Sequence, residues 1–368
     1  MREKLNIVSL FDGISCGRVA LDRAGIAVNS YSAFEIDKYA KAVSRYNYPD
    51  IQQYDDVLDA DFSRFVGYDI VIGGSPCTFW SIAKTNREID KSGIGWKLFM
   101  RFVEAVRVIS PRFFLYENVA SMPANIKQYI TEELEVEPVY INSALLSAQS
   151  RKRLYWTNIK GITQPDDKGI LLQDILETGV TARDKSYCID ACYYKGGNHS
   201  SPLSQAGRRR MVYEPVALAD KSQTILATLH KENALSMLKR GKTGLFCAHE
   251  TDNIPGSPVR VGSYGAGGQG NRVYSVQGKS VSLMANGGGR GGKVGLYKVD
   301  LPDGDYIIRK LTPIEAERCQ TLSDNYTAFG IDDNGKPVNI SNTQRYKCIG
   351  NGWTVDVITY ILGFADWR

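Results

Sequence analysis

Leu5-Asn6-Ile7-Val8-Ser9-Leu10-Phe11-Asp12-Gly13-Ile14-Ser15-Cys16-Gly17 begins the regular pattern of this chain. An apolar run of strand length leads into a turn with two glycines. Helical periodicity follows over residues 17–24 and stops at Gly25. Apolar runs at residues 28–34, 68–72 and 112–116 read as further strands, and residues 38–46 and 96–109 as helices. Strands that alternate with helical segments of this length predict an α/β fold built on a parallel sheet. Residues 139–145 and 154–157 read as a closing pair of strands.

From about residue 165 the alternation gives way to Gly, Ser, Asn and short β-like runs. Helical character returns near Leu311, where Thr312 can cap a helix with Pro313 in its first position and Glu315 three residues after the cap. Residues 354–362 are again apolar and read as a helix packing on the first domain. No internal repeat is evident. The expected boundaries are therefore 1–164, 165–308 and 309–368.

A chain of 368 residues with 43% hydrophobic content can bury a full core. No apolar run reaches the ~18 residues of a membrane span, and no secretory apolar segment follows Met1-Arg2-Glu3-Lys4. The reading is a cytoplasmic, non-membrane protein. Seven cysteines, an odd number, give no disulfide framework. Cys188 and Cys192 are spaced CxxxC without a second pair or a nearby His, so no metal site is expected. The net charge of +5 is modest, but its distribution is uneven. Residues 256–295 hold Arg260, Arg272, Lys279, Arg290 and Lys293, no acid, and 13 of the 35 glycines. Such a stretch suits a phosphate backbone. Residues 272–276 and 279–283 within it alternate like strands.

The glycines of the first turn are spaced GxxxG, not GxGxxG, which disfavours a Rossmann dehydrogenase. The turn also lacks the Lys and Ser/Thr of a phosphate-binding loop. A glycine turn without phosphate apparatus suits adenosine with a small zwitterionic tail, as in S-adenosylmethionine. Glu35, ending the second strand, is placed to accept from ribose hydroxyls. Asp56, in Asp55-Asp56-Val57, is placed to meet the adenine amino group. Gly73-Gly74-Ser75-Pro76-Cys77 ends the third strand with a thiol where ligand crevices lie, a candidate nucleophile. Glu117, in Tyr116-Glu117-Asn118-Val119, ends the next strand and can serve as a proton donor beside it. Arg151 and Arg153 are two residues apart before an apolar run, so on an extended segment they share a face. Guanidinium groups there suit a carbonyl oxygen or a phosphate.

In this order the segments resemble the DNA (cytosine-5)-methyltransferase family. The motifs around residues 9–14, 73–77 and 352–355 look closest to the de novo group, and the short N-terminus suits a bacterial or phage enzyme. The resemblance implies a Rossmann-like S-adenosylmethionine-dependent methyltransferase domain, a smaller, irregular, β-rich target-recognition domain, and a hinge helix with a C-terminal segment returning to the first domain. It implies that Cys77 attacks C6 of a flipped cytosine, that Glu117 donates a proton at N3, that Arg153 contacts O2 with Arg151 close by, and that Asn118 shapes the pocket. It implies cofactor contacts from Phe11, Asp12, Gly13, Ile14, Gly17, Glu35, Ile36, Asp56, Val57, Pro76, Asn351, Trp353 and Val355. S-adenosyl-L-homocysteine is then the product. DNA contacts are expected from Ser81, Arg272, Lys279, Arg290 and Lys293, on double-stranded DNA. A monomer is expected, with a restriction endonuclease as a cellular partner. Gly350-Asn351-Gly352-Trp353-Thr354 combines the Asn of the general family with the Trp of the de novo group. One branch of the family acts on tRNA, but it carries a different peptide after Pro-Cys than Thr78-Phe79-Trp80-Ser81. The third reading is a non-catalytic DNA-binding relative, which typically lacks at least one of these residues.

Overall fold

The run at residues 5–10 becomes β1 (Leu5–Leu10) in the computed structural model, and the turn after it opens α1 (Cys16–Arg23). The structure describes residues 4–81, 86–181, 183–195 and 310–367. It also describes the backbone of the strands at residues 212–215, 246–248, 260–264, 272–275, 296–301 and 304–309. The chain divides into two units. One comprises Met1–Leu171, Cys188–Asp190 and Glu317–Arg368, and the other Leu172–Tyr187 and Ala191–Ala316.

In the first unit, β2 (Val28–Phe34), α2 (Lys38–Asn47), β3 (Gln52–Tyr54), β4 (Ile70–Gly73), α3 (Ile94–Ile109), β5 (Phe113–Val119), α4 (Ala124–Leu134), β6 (Val139–Asn142) and β7 (Lys152–Thr157) follow in turn. Seven strands form one sheet in the order β3-β2-β1-β4-β5-β7-β6. The pairs from β3 to β5 are parallel, whereas β7 is antiparallel to both β5 and β6. The result is a mixed α/β fold on a mostly parallel sheet, of the Rossmann-like methyltransferase type. Neither β3 nor α4 is among the elements expected from the sequence: β3 carries little signal, whereas α4 buries Ile126, Ile130 and Leu134 at helical spacing, a pattern open to sequence reading. β3 is three residues long and has no apolar alternation, so its pairing with β2 defines it.

The central strands are buried on both faces, which is why they read as continuous apolar runs. Ile7, Ile70, Ile72 and Leu115 face one core with α1 and the C-terminal helix. Val8, Leu10, Val71, Phe114 and Tyr116 face the other, with α3 and α4. Period-two alternation thus sorts neighbours to opposite cores rather than to core and solvent. The chain returns to this unit through α5 (Pro313–Cys319), the hairpin β14 (Phe329–Ile331) and β15 (Pro337–Asn339), α6 (Asn342–Asn351) and α7 (Val355–Leu362).

The start of α5 forms as the sequence predicts. Glu315 N–H donates to Thr312 Oγ1 (3.2 Å), and Thr312 N–H donates back to Glu315 Oε2 (2.7 Å), a reciprocal capping box. The second unit contains a six-stranded sheet, β8 (Val212–Pro215), β13 (Gly304–Arg309), β12 (Leu296–Leu301), β11 (Arg272–Ser275), β10 (Arg260–Tyr264) and β9 (Phe246–Ala248), in that spatial order. Only β11 and β12 pair in parallel. The predicted strand at 272–276 is seen as β11, while the one at 279–283 lies outside the described residues. Among the described residues no helix is long and apolar enough to cross a membrane.

Candidate active site

Strand register gathers the candidate residues at one edge of the sheet. Leu10 pairs with both Phe34 and Gly73, and Gly73 pairs with Tyr116. The next residues along these four strands are Phe11, Glu35, Gly74 and Glu117, at the carboxyl ends of parallel strands. The strand order reverses between β1 and β4, and open α/β sheets bind ligands at that switch point.

The glycine turn is held by acids. Phe11 (φ 59°), Gly13 (φ 61°) and Ser15 (φ 60°) all take left-handed backbone. Two non-glycine residues so close together mark a strained, over-determined turn. Asp12 receives Ser9 Oγ (2.6 Å) and Tyr31 OH (2.7 Å) on Oδ1 and Ser15 Oγ (2.5 Å) on Oδ2. Its carboxylate is therefore spent on shaping the loop. Burial raises its pKa above the usual carboxylate range, and those three hydroxyls pull it back. Glu35 accepts from Ile36 N–H and Asp37 N–H on Oε1 (2.8 and 2.7 Å) and from Gly13 N–H on Oε2 (2.9 Å). Burial pushes this carboxyl up, and the Asp37 and Gly13 N–H groups oppose it. With about four lone-pair sites, Glu35 keeps acceptor capacity for a ligand while its carboxylate braces the turn.

The other cofactor candidates separate into surface and core. Ile36 is 72% exposed beside Glu35, and Phe11 is half-buried. Asp56 caps a short 3-10 turn by accepting from Leu58 N–H (2.9 Å). Ile14 and Val355 are fully buried and Val57 nearly so, so in this structure none of the three presents appreciable surface to a ligand. Gly17 is also buried. A Cβ there would lie 2.4 Å from Ile72 Cδ1 and 3.0 Å from Tyr31 OH, so this glycine lets α1 pack on the sheet. Pro76 and Asn351 are exposed.

On the opposite side of the switch point Cys77 begins a 3-10 turn, Cys77–Phe79. Its carbonyl accepts from Trp80 N–H (3.2 Å) and Ser81 N–H (2.9 Å), which places Ser81 in the same turn. The loop is tied to β5 through Asn118. That buried amide donates to Ser75 O (3.2 Å) and Tyr116 OH (3.2 Å), and Tyr116 OH lies 2.6 Å from Ser75 Oγ. Burial pushes the Cys77 thiol above its ordinary range, Arg153 and Arg151 pull it down, and Glu117 and Cys188 push it up. All four groups lie within electrostatic reach of the sulfur.

Glu117 and Arg153 are a buried pair, each with a side chain 9% exposed and with Arg153 Nε 2.6 Å from Glu117 Oε1. The contact is electrostatic rather than a directed hydrogen bond, because the Nε–H is not aimed at the carboxylate. The antiparallel pairing of β7 with β5, which sets Arg153 opposite Val119, brings the two together. Arg151 shares that face but does other work. Its guanidinium donates to Gly352 O (2.9 Å), Ile189 O (3.1 Å) and Gly350 O (3.3 Å). It anchors the C-terminal segment, and these carbonyls take up its donors.

Two neighbours escape sequence reasoning. Trp353, expected only against a cofactor, donates its indole N–H to Glu117 Oε2 (3.0 Å). Cys188 Sγ receives Arg151 Nη1 (3.3 Å) and Arg153 Nη2 (4.0 Å). The residue as a whole is exposed, but its sulfur lies against both guanidinium groups. Burial would push that thiol up, and the two arginines outweigh it and hold the thiol below its ordinary range. Neither contact has a local signal, since each partner lies far away in the chain. Of the expected DNA contacts in the basic window, Arg272 opens β11, and Lys279, Arg290 and Lys293 lie outside the described residues. No cluster of potential metal ligands occurs among the described residues.

Known proteins resemble this chain over most of its length. The chain is 25% identical over 359 residues to the type II methyltransferase M.HhaI of Haemophilus parahaemolyticus, covering 97% of this chain and 93% of the relative. It is 24% identical over 441 residues to the orphan methyltransferase M.SPRI of Bacillus phage SPR, covering 97% and 96%. A third match, to the orphan methyltransferase M.Rho11sI of Bacillus phage rho11s, is 26% identical over 325 residues and spans 81% of this chain but 61% of that relative. Among solved structures, an Entamoeba histolytica methyltransferase aligns over 99% of this chain and 98% of its own, with a TM-score of 0.56 and 14% identity, a likeness of fold. The model of the family described as C-5 cytosine-specific DNA methylase matches from residue 5 to residue 364. By that match, which takes in both the glycine turn and the thiol loop, the chain belongs to the C-5 cytosine-specific DNA methylase family.

Proposed function

We propose that the protein transfers a methyl group from S-adenosyl-L-methionine to C5 of a cytosine flipped out of double-stranded DNA, through a covalent bond from Cys77. The observation that carries this reading is the convergence of one thiol, one carboxyl and one guanidinium at the carboxyl edge of a parallel sheet, with Glu117 against Arg153 at 2.6 Å.

The residues around the glycine turn fit the cofactor. A Cβ on Gly13 would meet nothing within 4 Å, so there is open space over the turn. Glu35 has acceptor capacity for ribose hydroxyls, and exposed Ile36 with half-buried Phe11 offers apolar surface to a base. When bound, this cofactor supplies an electrophilic methyl group on a positively charged sulfur.

The chain's own residues make cytosine C5 nucleophilic. A stacked base cannot present C6 to a thiol, so the nucleotide is turned out of the duplex. Cys77 Sγ, as thiolate, adds to C6, which splits one hard substitution into two easier steps. Glu117 delivers a proton at N3, so the electron pair leaving the C5–C6 double bond is held as carbanion character at C5. Arg153 orients the base at O2 and holds Glu117 in place. Once C5 is methylated, its proton leaves to solvent, departure of Sγ as thiolate restores the C5–C6 double bond, and N3 returns its proton to Glu117. Arg151 is a positioning residue, through Gly350 and Gly352. The strands of residues 172–316, with the basic glycine-rich window, are the proposed readers of the DNA sequence.

The test uses randomised duplex DNA incubated with protein and cofactor, followed by bisulfite sequencing, with tRNA in a parallel arm. Protected cytosines in one sequence context support the reading. Methylation of tRNA alone assigns the chain to the RNA branch, and no methylated cytosine in either arm overturns the proposal.

Gly74 supplies a second check on the site. A Cβ there would fall 2.9 Å from Glu117 O, 3.0 Å from Glu117 Oε2 and 3.3 Å from Trp353 Nε1. The backbone oxygen belongs to β5 and cannot yield without moving the strand. Gly74→Ala is expected to lower single-turnover methylation by about 10²-fold, the scale of a 1 Å misplacement, with only a few degrees' change in melting temperature. Near-normal methylation would show that the carboxyl tolerates displacement.

A further inference from the structure

We infer that Trp353 is a positioning residue for Glu117, holding its carboxyl from the side opposite Arg153. This inference rests on the proposed role of Glu117 as the acid at N3.

The geometry is a clamp. Arg153 approaches Oε1 at 2.6 Å and Trp353 Nε1–H donates to Oε2 at 3.0 Å, so each carboxylate oxygen has its own cationic or N–H partner. Each oxygen has two lone-pair sites, which leaves one on each for the base or a proton. Space beside the indole N–H comes from Gly74, and Gly17 adjoins the far edge of the ring at ordinary contact distance. Gly74 keeps a side chain away from the Trp353 Nε1–Glu117 Oε2 contact, and a Cβ on Gly17 would sit 3.5 Å from Trp353 Cζ3. The indole thus spans from the glycine turn after β1 to the carboxyl at the end of β5. Its backbone is fixed in turn, because Arg151 donates to Gly350 O and Gly352 O on the preceding residues.

Trp353 therefore does more than close a cofactor site. A residue that only lined the cofactor would act on cofactor affinity, whereas this contact acts on the orientation of the acid. A hydrogen bond to an ionised group is among the stronger protein hydrogen bonds, and its loss lets the carboxyl rotate.

The experiment compares wild type, Trp353→Phe, Glu117→Gln and the double variant, using the full chain and DNA of the context found by bisulfite sequencing. Trp353→Phe keeps an aromatic ring and removes the N–H. We expect its single-turnover methylation rate to fall about tenfold, in line with the loss of one hydrogen bond to a charged group, with S-adenosyl-L-homocysteine affinity within about twofold of wild type. In the Glu117→Gln background the same change is expected to add little, because residues acting through one contact are non-additive. Loss of cofactor affinity with an unchanged rate, or an equal fall in both backgrounds, would overturn the inference. An independent reading is the Trp353 indole N–H resonance, which should move on Glu117→Gln; an unmoved resonance likewise overturns it. If wild type methylates no nucleic acid the methyltransferase reading itself fails, and the resonance still reports on the Trp353–Glu117 contact.

Discussion

Cys77→Ala is expected to lower methyl transfer by on the order of 10⁴-fold or more, the scale seen when a covalent nucleophile is removed, while fold and cofactor affinity persist. The fold should persist because Cys77 contributes its carbonyl to the turn, accepting from Trp80 and Ser81, and Ala keeps that carbonyl. The loop is held by Asn118 and Tyr116 on Ser75, not by the sulfur. The same variant should form no stable adduct with duplex DNA bearing 5-fluorocytosine at the target position, whereas wild type should be trapped by it. The pH dependence has a defined sign. Burial places the Cys77 thiol above its ordinary range, against the pull of Arg153 and Arg151. Only the thiolate reacts, so alkylation of Cys77 should go on rising past the pH at which a free cysteine levels off. Activity retained in Cys77→Ala, or an adduct trapped without the thiol, would remove Cys77 from the mechanism.

The largest expected effect on stability lies away from the site. Glu317 is fully buried. It accepts from Asn325 N–H (2.8 Å), Thr327 N–H (2.8 Å), Thr327 Oγ1 (2.5 Å) and Arg345 Nη2 (2.9 Å). Asn325 turns into left-handed backbone (φ 62°) in the loop that wraps this carboxylate. Glu317→Ala removes one charge of a buried pair and strands two backbone N–H groups. It is expected to cost about 3–5 kcal/mol, the range for breaking a buried ion pair, read from chemical denaturation of the full chain. The double change Glu317→Leu with Arg345→Met should recover part of this loss, since apolar replacements can substitute for a buried pair. It should not recover all of it, because the Asn325 and Thr327 N–H groups remain without an acceptor. A loss below about 1 kcal/mol in the single variant would show that water reaches the carboxylate's place.

Much of the first unit was legible because its signals are local. The alternation of apolar runs with helical periodicity foretold the sheet, and Thr312 with Glu315 foretold a helix start that forms as a reciprocal cap. Side chains at strand ends were legible for the same reason, since parallel register alone carries Phe11, Glu35, Gly74 and Glu117 to one edge. What already holds an acid is not legible from residue type. Asp12 is consumed by Ser9, Ser15 and Tyr31, and the Asp56 carboxylate caps a turn through one of its oxygens. Nor is it legible that the Arg151 guanidinium goes to main-chain carbonyls of residues 189, 350 and 352.

The α/β class, the sheet edge where the candidate residues gather, and the identity of the candidate thiol, acid and arginine could all be read from the chain alone. Those follow from period, turn chemistry and residue type, which act over a few neighbouring positions. How the candidates are held depends on the packing of distant segments. The reversed direction of β7 sets Arg153 against Glu117. The return of the C-terminal segment brings Trp353 onto the other carboxylate oxygen from 236 residues away. Such contacts depend on strand direction and on the packing of distant segments, and no short stretch of sequence encodes either.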